Sequence, residues 1–354
     1  MEFYQLKVKQ VKKETPEAVS LFFEVPENLK EKFGYLPGQY VTIKAKIGGE
    51  EIRRSYSINT SPYTDQDISV TAKKIANGKM STYLNEQVQA GDLLEVSSPL
   101  GNFTPELDPH RSVTYLCIAA GSGITPIMSI IKSALYVEKQ SKILLIYGNR
   151  NKENTIFYNE LSALQKENPG RFKIHFVFSR EKGQSPNHEG RIDPAKVDYF
   201  LETEGIDLSQ TEAFICGPFE MTENIKQHLS KKLDKKQIHT ELFYSKPLPS
   251  GAHPEVVPNG ESEVVVILDD METTIKMPKK GISILDAAME AGLDVPFSCK
   301  GAVCCTCKAK VLEGNVVMEQ NYALTDDEVD QGFVLTCQSH PVSDRVKISY
   351  DDLF

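Results

Sequence analysis

No stretch of this sequence approaches the ~20 consecutive apolar residues of a membrane-spanning helix, and no positively charged leader with an apolar run opens it. A cytoplasmic location without membrane contact is the expectation. Basic excess is also missing. The net charge of −9 argues against a nucleic-acid surface, which needs clustered Lys and Arg. There are no internal repeats and no low-complexity tracts. A disulfide framework is lacking too, because the seven cysteines are odd in number and four of them fall within 299–307. That crowding points to ligation of a metal or cluster in a reducing compartment.

What is present has an ordinary globular composition, 40% hydrophobic and 25% charged, and 354 residues leave room for two or three domains. The charge is unevenly spread. Over 263–354 acids outnumber bases 16 to 8, a net of −8, while the rest holds 33 acids and 32 bases. The C-terminal quarter therefore reads as a separate acidic unit.

Along residues 1–107 short strands at 3–11, 19–25, 39–43 and 68–74 are punctuated by Pro37-Gly38, Asn77-Gly78 and Pro99-Leu100-Gly101. This pattern predicts an antiparallel β-barrel. Over 108–245 apolar runs at 113–120, 143–147, 174–178 and 213–216 alternate with helical patterns at 127–137, 157–167 and 220–233. Such alternation predicts a parallel α/β domain covered on both faces. Residues 246–262 are rich in Pro and Gly and read as a linker. The third domain, 263–354, opens with a strand at 264–268 and has a helix over 284–291.

Cys299, Cys304 and Cys307 give C-x4-C-x2-C, and Cys337 follows alone. This is the spacing of plant-type [2Fe–2S] ligands. Four thiolates must converge on two irons, and one tight loop can supply three. Gly301 is expected to permit the sharp backbone path, with nearby amides free to donate to sulfur. Structural zinc usually takes two C-x2-C knuckles, and only one such pair exists here. Cys305 would break the spacing as a ligand and reads as a bystander.

Four further motifs concern nucleotides. In Arg54-Ser55-Tyr56-Ser57 an Arg can neutralise a pyrophosphate, a Tyr can stack on a planar ring and a Ser can bond a ring nitrogen. The same residues could simply cover a strand face. Gly78-Lys79-Met80-Ser81 either presents amides and a hydroxyl to a phosphate or is a turn with a serine N-cap. Gly121-Ser-Gly-Ile-Thr-Pro126, between a strand and a helix, lets backbone approach a pyrophosphate, although it is not a G-x-G-x-x-G fingerprint. Cys216-Gly217-Pro218 closes a strand on the edge where open α/β sheets bind ligands. A buried strand cysteine is often only core, and Cys117 is read that way.

In this order the motifs resemble the ferredoxin–NADP reductase superfamily with a plant-type ferredoxin domain at the C-terminus. Tyr147-Gly-Asn-Arg150 and Cys299-Lys-Gly-Ala-Val-Cys304 further resemble the reductase subunits of phenylacetyl-CoA epoxidases. The resemblance implies an FAD-binding barrel, an NAD(P)H-binding α/β domain and a β-grasp-type cluster domain. By it, Arg54 would meet the FAD pyrophosphate, Tyr56 would stack on the isoalloxazine and Ser57 would bond near its reactive nitrogen. Thr71 and Lys73 would touch the flavin through backbone groups, and Gly78, Met80 and Ser81 would hold its phosphates. Gly121, Gly123 and Thr125 would line the NAD(P)H channel, with Cys216, Gly217 and Pro218 beside the nicotinamide. Glu241 would place a carboxylate near the flavin, and Phe243 stands where plant enzymes have Tyr. Ser179 and Arg180 match a 2′-phosphate contact, which favours NADPH, with NADH possible.

A mechanism follows. NAD(P)H gives up two electrons together and the cluster accepts one at a time, so a flavin must divide the pair. Ser57, Cys216 and Glu241 are the expected catalytic residues, and Cys299, Cys304, Cys307 and Cys337 the metal ligands. The expected partner is a terminal oxygenase, foremost the phenylacetyl-CoA epoxidase. Rieske-type dioxygenases and other di-iron enzymes are alternatives. An FMN-containing phthalate-type reductase, or a redox sensor without steady NAD(P)H oxidation, is a further reading.

Overall fold

The computed structural model describes residues 1–244 and 257–351. Of the linker expected over 246–262, residues 246–256 lie outside the described residues, and its last two, Glu261 and Ser262, instead open a strand because they pair with Pro278 and Met277. Contacts group the chain into two compact units, Glu2–Phe243 and Tyr244–Phe354. Among the described residues, no helix is long and apolar enough to cross a membrane.

The first unit opens with β1 (Phe3–Thr15), β2 (Ala18–Glu24), β3 (Tyr40–Ile47), β4 (Glu50–Ser57), β5 (Ile68–Lys73), α1 (Lys79–Glu86) and β6 (Leu93–Ser97). The strands form one antiparallel sheet in the order β4-β3-β6-β1-β2-β5. A bridge between Ile58 and Val70 joins its two ends and closes the barrel. Gly48 and Gly49 at φ 60° and 87° make the two-residue turn between β3 and β4, a conformation that side chains resist. Leu6, Val8, Leu21, Phe23, Val41 and Ile43 fill the interior.

The βα half follows as β7 (Thr114–Ala120), α2 (Ile124–Val137), β8 (Lys142–Asn149), α3 (Tyr158–Glu167), β9 (Phe172–Phe178), α4 (Pro194–Thr203), β10 (Thr211–Cys216), α5 (Phe219–Leu229) and β11 (Ile238–Glu241). All its strands pair in parallel, in the order β11-β10-β7-β8-β9. Alternate residues feed two cores. Tyr115, Cys117, Leu145 and Phe214 join α2 and α3, while Leu116, Ile118, Ile146 and Ile215 join α4 and α5. That two-sided burial explains why these strands read as unbroken apolar runs. The helix expected over 220–233 ends at Leu229. Ser230 Oγ donates to Gln227 O at 2.9 Å, and this local bond competes with continuation of the helix.

The second unit comprises β12 (Glu261–Leu268), β13 (Met271–Pro278), α6 (Ile284–Glu290), β14 (Lys308–Glu313), β15 (Val316–Met318), α7 (Asp326–Asp330), β16 (Phe333–Leu335), β17 (Ser339–Pro341) and β18 (Arg345–Ser349). Its main sheet runs β13-β12-β18-β14-β16, with β18 parallel to β12 and the other pairs antiparallel. α6 packs Ile284, Leu285 and Ala288 against Val264, Val266 and Ile348, in a β-grasp-type arrangement. Ser283 caps α6 by accepting from Asp286 N at 3.1 Å.

Candidate functional site

In the parallel sheet β7 and β10 are neighbours, and β7 leads on to β8 while β10 leads to β11 on the other side. Loops leaving such a pair diverge and open a crevice at the C-terminal strand ends. Gly121-Ser-Gly123 and Cys216-Gly217-Pro218 are those two loops. They touch closely, since a Cβ on Gly123 would sit 2.1 Å from Cys216 O. Gly121 takes φ 58°, and its carbonyl accepts from Tyr147 Oη at 3.0 Å. Tyr147 thus ties the glycine loop to β8, a role that the sequence did not reveal. Thr125 is buried, and its hydroxyl donates to Ser122 O at 3.0 Å, so it fixes the loop from inside. Gly217 is packed against Met221, and Pro218 caps α5.

The barrel brings its own residues to this crevice. Arg54 is exposed and Tyr56 half-buried, two apart on β4, so they share one face. Ser57 is buried, and its hydroxyl donates to Glu241 Oε2 at 3.2 Å. Glu241 ends β11 directly opposite Cys216 in the register. Enclosure pushes the Glu241 carboxyl up to about 8, against the bond from Ser57. Burial, with help from Glu241, also raises the Cys216 thiol well above its usual range, so it stays neutral. Phe243, two residues on, is exposed.

Lys73 ends β5, and its Nζ lies 3.8 Å from where a Gly121 Cβ would be. Burial first, then Arg150, lowers its pKa. The ammonium of Lys73 therefore faces the nucleotide loop, where the sequence had suggested only backbone contact. Thr71 instead turns inward, its hydroxyl accepting from Asn59 Nδ2 at 2.7 Å. Gly78 caps α1, and a Cβ there would meet Ile75 and Ser81 at 2.4 Å. Ser81 lies inside the first turn and bonds Ile75 N and Gly78 O, so the serine N-cap alternative does not occur. Met80 packs into the barrel core, leaving only its backbone to face a ligand. A glycine cradle, first-turn amides and flanking cations suit phosphate esters. Ser179 and Arg180 are exposed just beyond β9, held by Ser179 N to Asn149 O at 2.9 Å and Arg180 N to Arg150 O at 2.8 Å.

The second unit gathers the cysteines. Cys304 Sγ lies 3.1 Å from Cys299 Sγ, and the Cys307 thiol bonds that of Cys337. Cys337 comes from far along the chain because Lys308 pairs with Leu335, which sets Cys307 beside Thr336. Thr336 N and Oγ1 both donate to Cys307 O, at 3.1 and 3.0 Å. Amides point at sulfur. The Cys304 thiol and the N–H groups of Gly301, Val303 and Cys304 pull Cys299 down to about 6. Cys337 is lowered by the Cys307 thiol, the Ala302 amide and the Gln338 side chain. Converging buried thiols ringed by N–H donors fit an iron–sulfur cluster, whose sulfurs carry negative charge.

One expectation is corrected in this loop. The left-handed residues are Lys300 at φ 52° and Ala302 at 61°, not Gly301, whose part is an amide 3.3 Å from Cys299 Sγ. Aiming successive amides inward twists the residues on either side of the glycine. Cys305 turns away, its Sγ 3.5 Å from Ala323 O, and takes no part in the two sulfur pairs. Gln338 Nε2, 3.7 Å from Cys337 Sγ, is a donor that no spacing rule identified.

Three family models match successive parts of the chain. The Oxidoreductase FAD-binding domain matches residues 5–104, the Oxidoreductase NAD-binding domain 117–227 and the 2Fe-2S iron-sulfur cluster binding domain 266–342. The chain is 40% identical over 354 residues to a component of the 1,2-phenylacetyl-CoA epoxidase of Escherichia coli (strain K12), covering 99% of this chain and 98% of that one. It is 33% identical to the ferredoxin reductase component of the 3-ketosteroid-9-alpha-monooxygenase of Rhodococcus rhodochrous, covering 98% and 96%. Phthalate dioxygenase reductase shares the fold, with a TM-score of 0.59 at 22% identity and 98% of each chain covered. The chain belongs to the ferredoxin–NADP reductase superfamily, as an FAD- and NAD-binding oxidoreductase with a C-terminal 2Fe-2S domain.

Proposed function

We propose that the chain is the NADPH-oxidising reductase of a multicomponent oxygenase, foremost a phenylacetyl-CoA epoxidase. The observation that carries the reading is the junction of Ser57, Glu241 and Cys216, where barrel and nucleotide sheet meet at the crevice between β7 and β10. The relative from Escherichia coli supports the choice of partner. One NADPH supplies two electrons, and FAD, when bound, parts them into the single electrons that a [2Fe–2S] cluster takes.

The chain's own residues would do the following. Arg54, Lys73 and the amides at Met80 and Ser81 balance phosphate charge where Gly78 leaves room for its approach, and Tyr56 offers a ring face to the flavin while Thr71 lines the site through its backbone. Gly121, Gly123 and Thr125, with Gly217 and Pro218, leave a backbone groove for the dinucleotide. Cys216 bounds the nicotinamide side, and Phe243 stands at the crevice edge. Glu241, protonated at neutral pH, holds a proton at the crevice beside Ser57, whose hydroxyl donates to its Oε2 and whose oxygen stays open toward the reacting ring. Ser179 and Arg180 receive the 2′-phosphate. Cys299, Cys304, Cys307 and Cys337 hold the cluster. The same reading divides the chain at 1–107, 108–245, 246–262 and 263–354 and places it in the cytoplasm, a reducing compartment that suits seven cysteines of which none is paired in a disulfide.

Stopped-flow mixing with NADPH should bleach the flavin within the time of turnover, and a mere carrier would show no such phase. Releasing the flavin distinguishes FAD from FMN. Purified epoxidase and a Rieske-type oxygenase, offered side by side, decide the partner. Reduction of the epoxidase should slow as salt rises, since the −8 charge over 263–354 favours a basic docking patch. An unchanged rate counts against that docking mode.

A further inference from the structure

After Ser179 and Arg180 the chain leaves β9, loops outward and returns to it at Glu189 and Gly190, where Phe178 bridges Glu189 and Gly190 N donates to Phe178 O at 2.8 Å. Glu181 is held by Lys152 N at 2.8 Å. Between these two ends, His188 is the one described residue whose side chain hydrogen-bonds another element. Its Nε2 lies 3.1 Å from Nδ1 of His175 on β9, and its Nδ1 lies 2.9 Å from Ser185 Oγ. His175 Nε2 in turn lies 2.9 Å from Glu204 Oε1 at the end of α4.

The chemistry of this chain of bonds fixes its direction. Glu204 accepts, so His175 carries its proton on Nε2 and accepts at Nδ1. His188 must then donate from Nε2 and accept the Ser185 hydroxyl at Nδ1. Burial pushes both imidazoles below their usual range, which keeps the pair neutral, and Lys173, with Nζ 3.7 Å from Glu204 Oε1, is the one ammonium paired with that carboxylate among the described residues. Phe200 stacks on His175 at 4.2 Å between centroids and meets His188 edge-on at 5.1 Å. Gly183 closes over His188 from the loop side, because a Cβ there would lie 2.5 Å from His188 O and 2.6 Å from its Cβ.

We infer that His188, seated on His175 and under Gly183, is a positioning residue for recognition of the dinucleotide's adenosine phosphate end. It fixes the loop that follows Ser179 and Arg180 and so sets the angle at which they meet the 2′-phosphate. The inference rests on the proposed NADPH reading of that site. Neither histidine touches the crevice where Ser57, Cys216 and Glu241 lie, so the effect falls on binding of the phosphorylated nucleotide and spares the chemical step.

Steady-state kinetics of the full chain with NADPH and NADH, ferricyanide as acceptor, test it. In His188→Ala the NADPH KM should rise about fivefold, the size of one lost hydrogen bond, with kcat and the NADH KM held within about twofold. His188→Gln, whose amide nitrogen can still reach His175 Nδ1, should restore the wild-type KM. His188→Asn, which reaches only toward Ser185, should not. If His188→Ala fails to fold, the Gln and Asn variants carry the same comparison. Equal rises for both nucleotides, a fall in kcat, or no difference between Gln and Asn overturns the inference. Arg180→Ala separates the two readings. It should erase the preference for NADPH over NADH, and an unchanged ratio there removes the underlying 2′-phosphate site and the inference with it. A lost ratio in Arg180→Ala alongside an unmoved His188→Ala overturns the inference alone.

Discussion

Three of the four thiols proposed to hold the cluster come from nine consecutive residues, 299–307, whereas Ser57 and Glu241 meet across 184 positions of chain. The cluster loop achieves its density by strain. Two non-glycine residues adopt positive φ so that successive amides face the sulfurs. The crevice of the N-terminal unit has little local strain. It depends on two glycines packed against backbone and side chain, and on one carboxyl that burial keeps protonated. The difference teaches that most of a cluster site can be written in one loop, with sheet register adding the last thiol, while a dinucleotide site is a property of how two sheets are assembled.

That contrast can be broken most severely at Cys304. In Cys304→Ser the visible absorption of the cluster should vanish and transfer to an oxygenase should be abolished, yet NADPH-driven ferricyanide reduction should persist at near the wild-type rate. Parallel loss of both activities would mean that the units do not function independently. Gly123→Ala is the opposite case. Its new Cβ would overlap Cys216 O, so the crevice must shift at a cost of about 1–3 kcal/mol. Thermal melting should fall and the NADPH response should be largely lost, while the cluster spectrum stays unchanged.

Glu241→Gln sharpens the comparison by separating function from stability. Flavin reduction should slow about 10²-fold if the proton on Glu241 is needed. In the wild type the rate should fall as pH rises through about 8, where that proton leaves, and the variant should lack this step. Stability declines over the same pH range, but there the variant gains. A carboxyl whose native pKa is raised takes up a proton on folding, so its contribution is full below the usual glutamate range and declines up to about 8. The variant should therefore melt higher than wild type near pH 8 and gain little near pH 4. Smallest is Gln338→Ala. It removes one donor from Cys337 Sγ and should shift the cluster midpoint potential modestly negative, readable by redox titration with NADPH kinetics unaltered.

Legibility followed range. The strand and helix rhythm was readable because β7, β8 and β10 are buried on both faces, which leaves apolar runs between helical patterns. Motif residues such as Gly123 and Gly78 stood out because a backbone needs them locally. Lys73 was placed on the right strand, yet the direction of its ammonium depended on how barrel and nucleotide sheet pack. Tyr147 stood in a recognised motif whose role the sequence did not show, and Gln338 carried no signal at all. Gly301 misled, since the strain sits on its neighbours.

By itself the sequence determined the cysteine spacing, the order of the three domains and the acidic character of the last, because each is written within a few tens of residues. Only the tertiary structure decided that Glu241 sits against Ser57 and across from Cys216, that Cys337 lies beside Cys307, and that two histidines brace the loop after Arg180. Those contacts arise from strand order and register, which are set by burial of whole sheets and leave no mark in the neighbouring sequence.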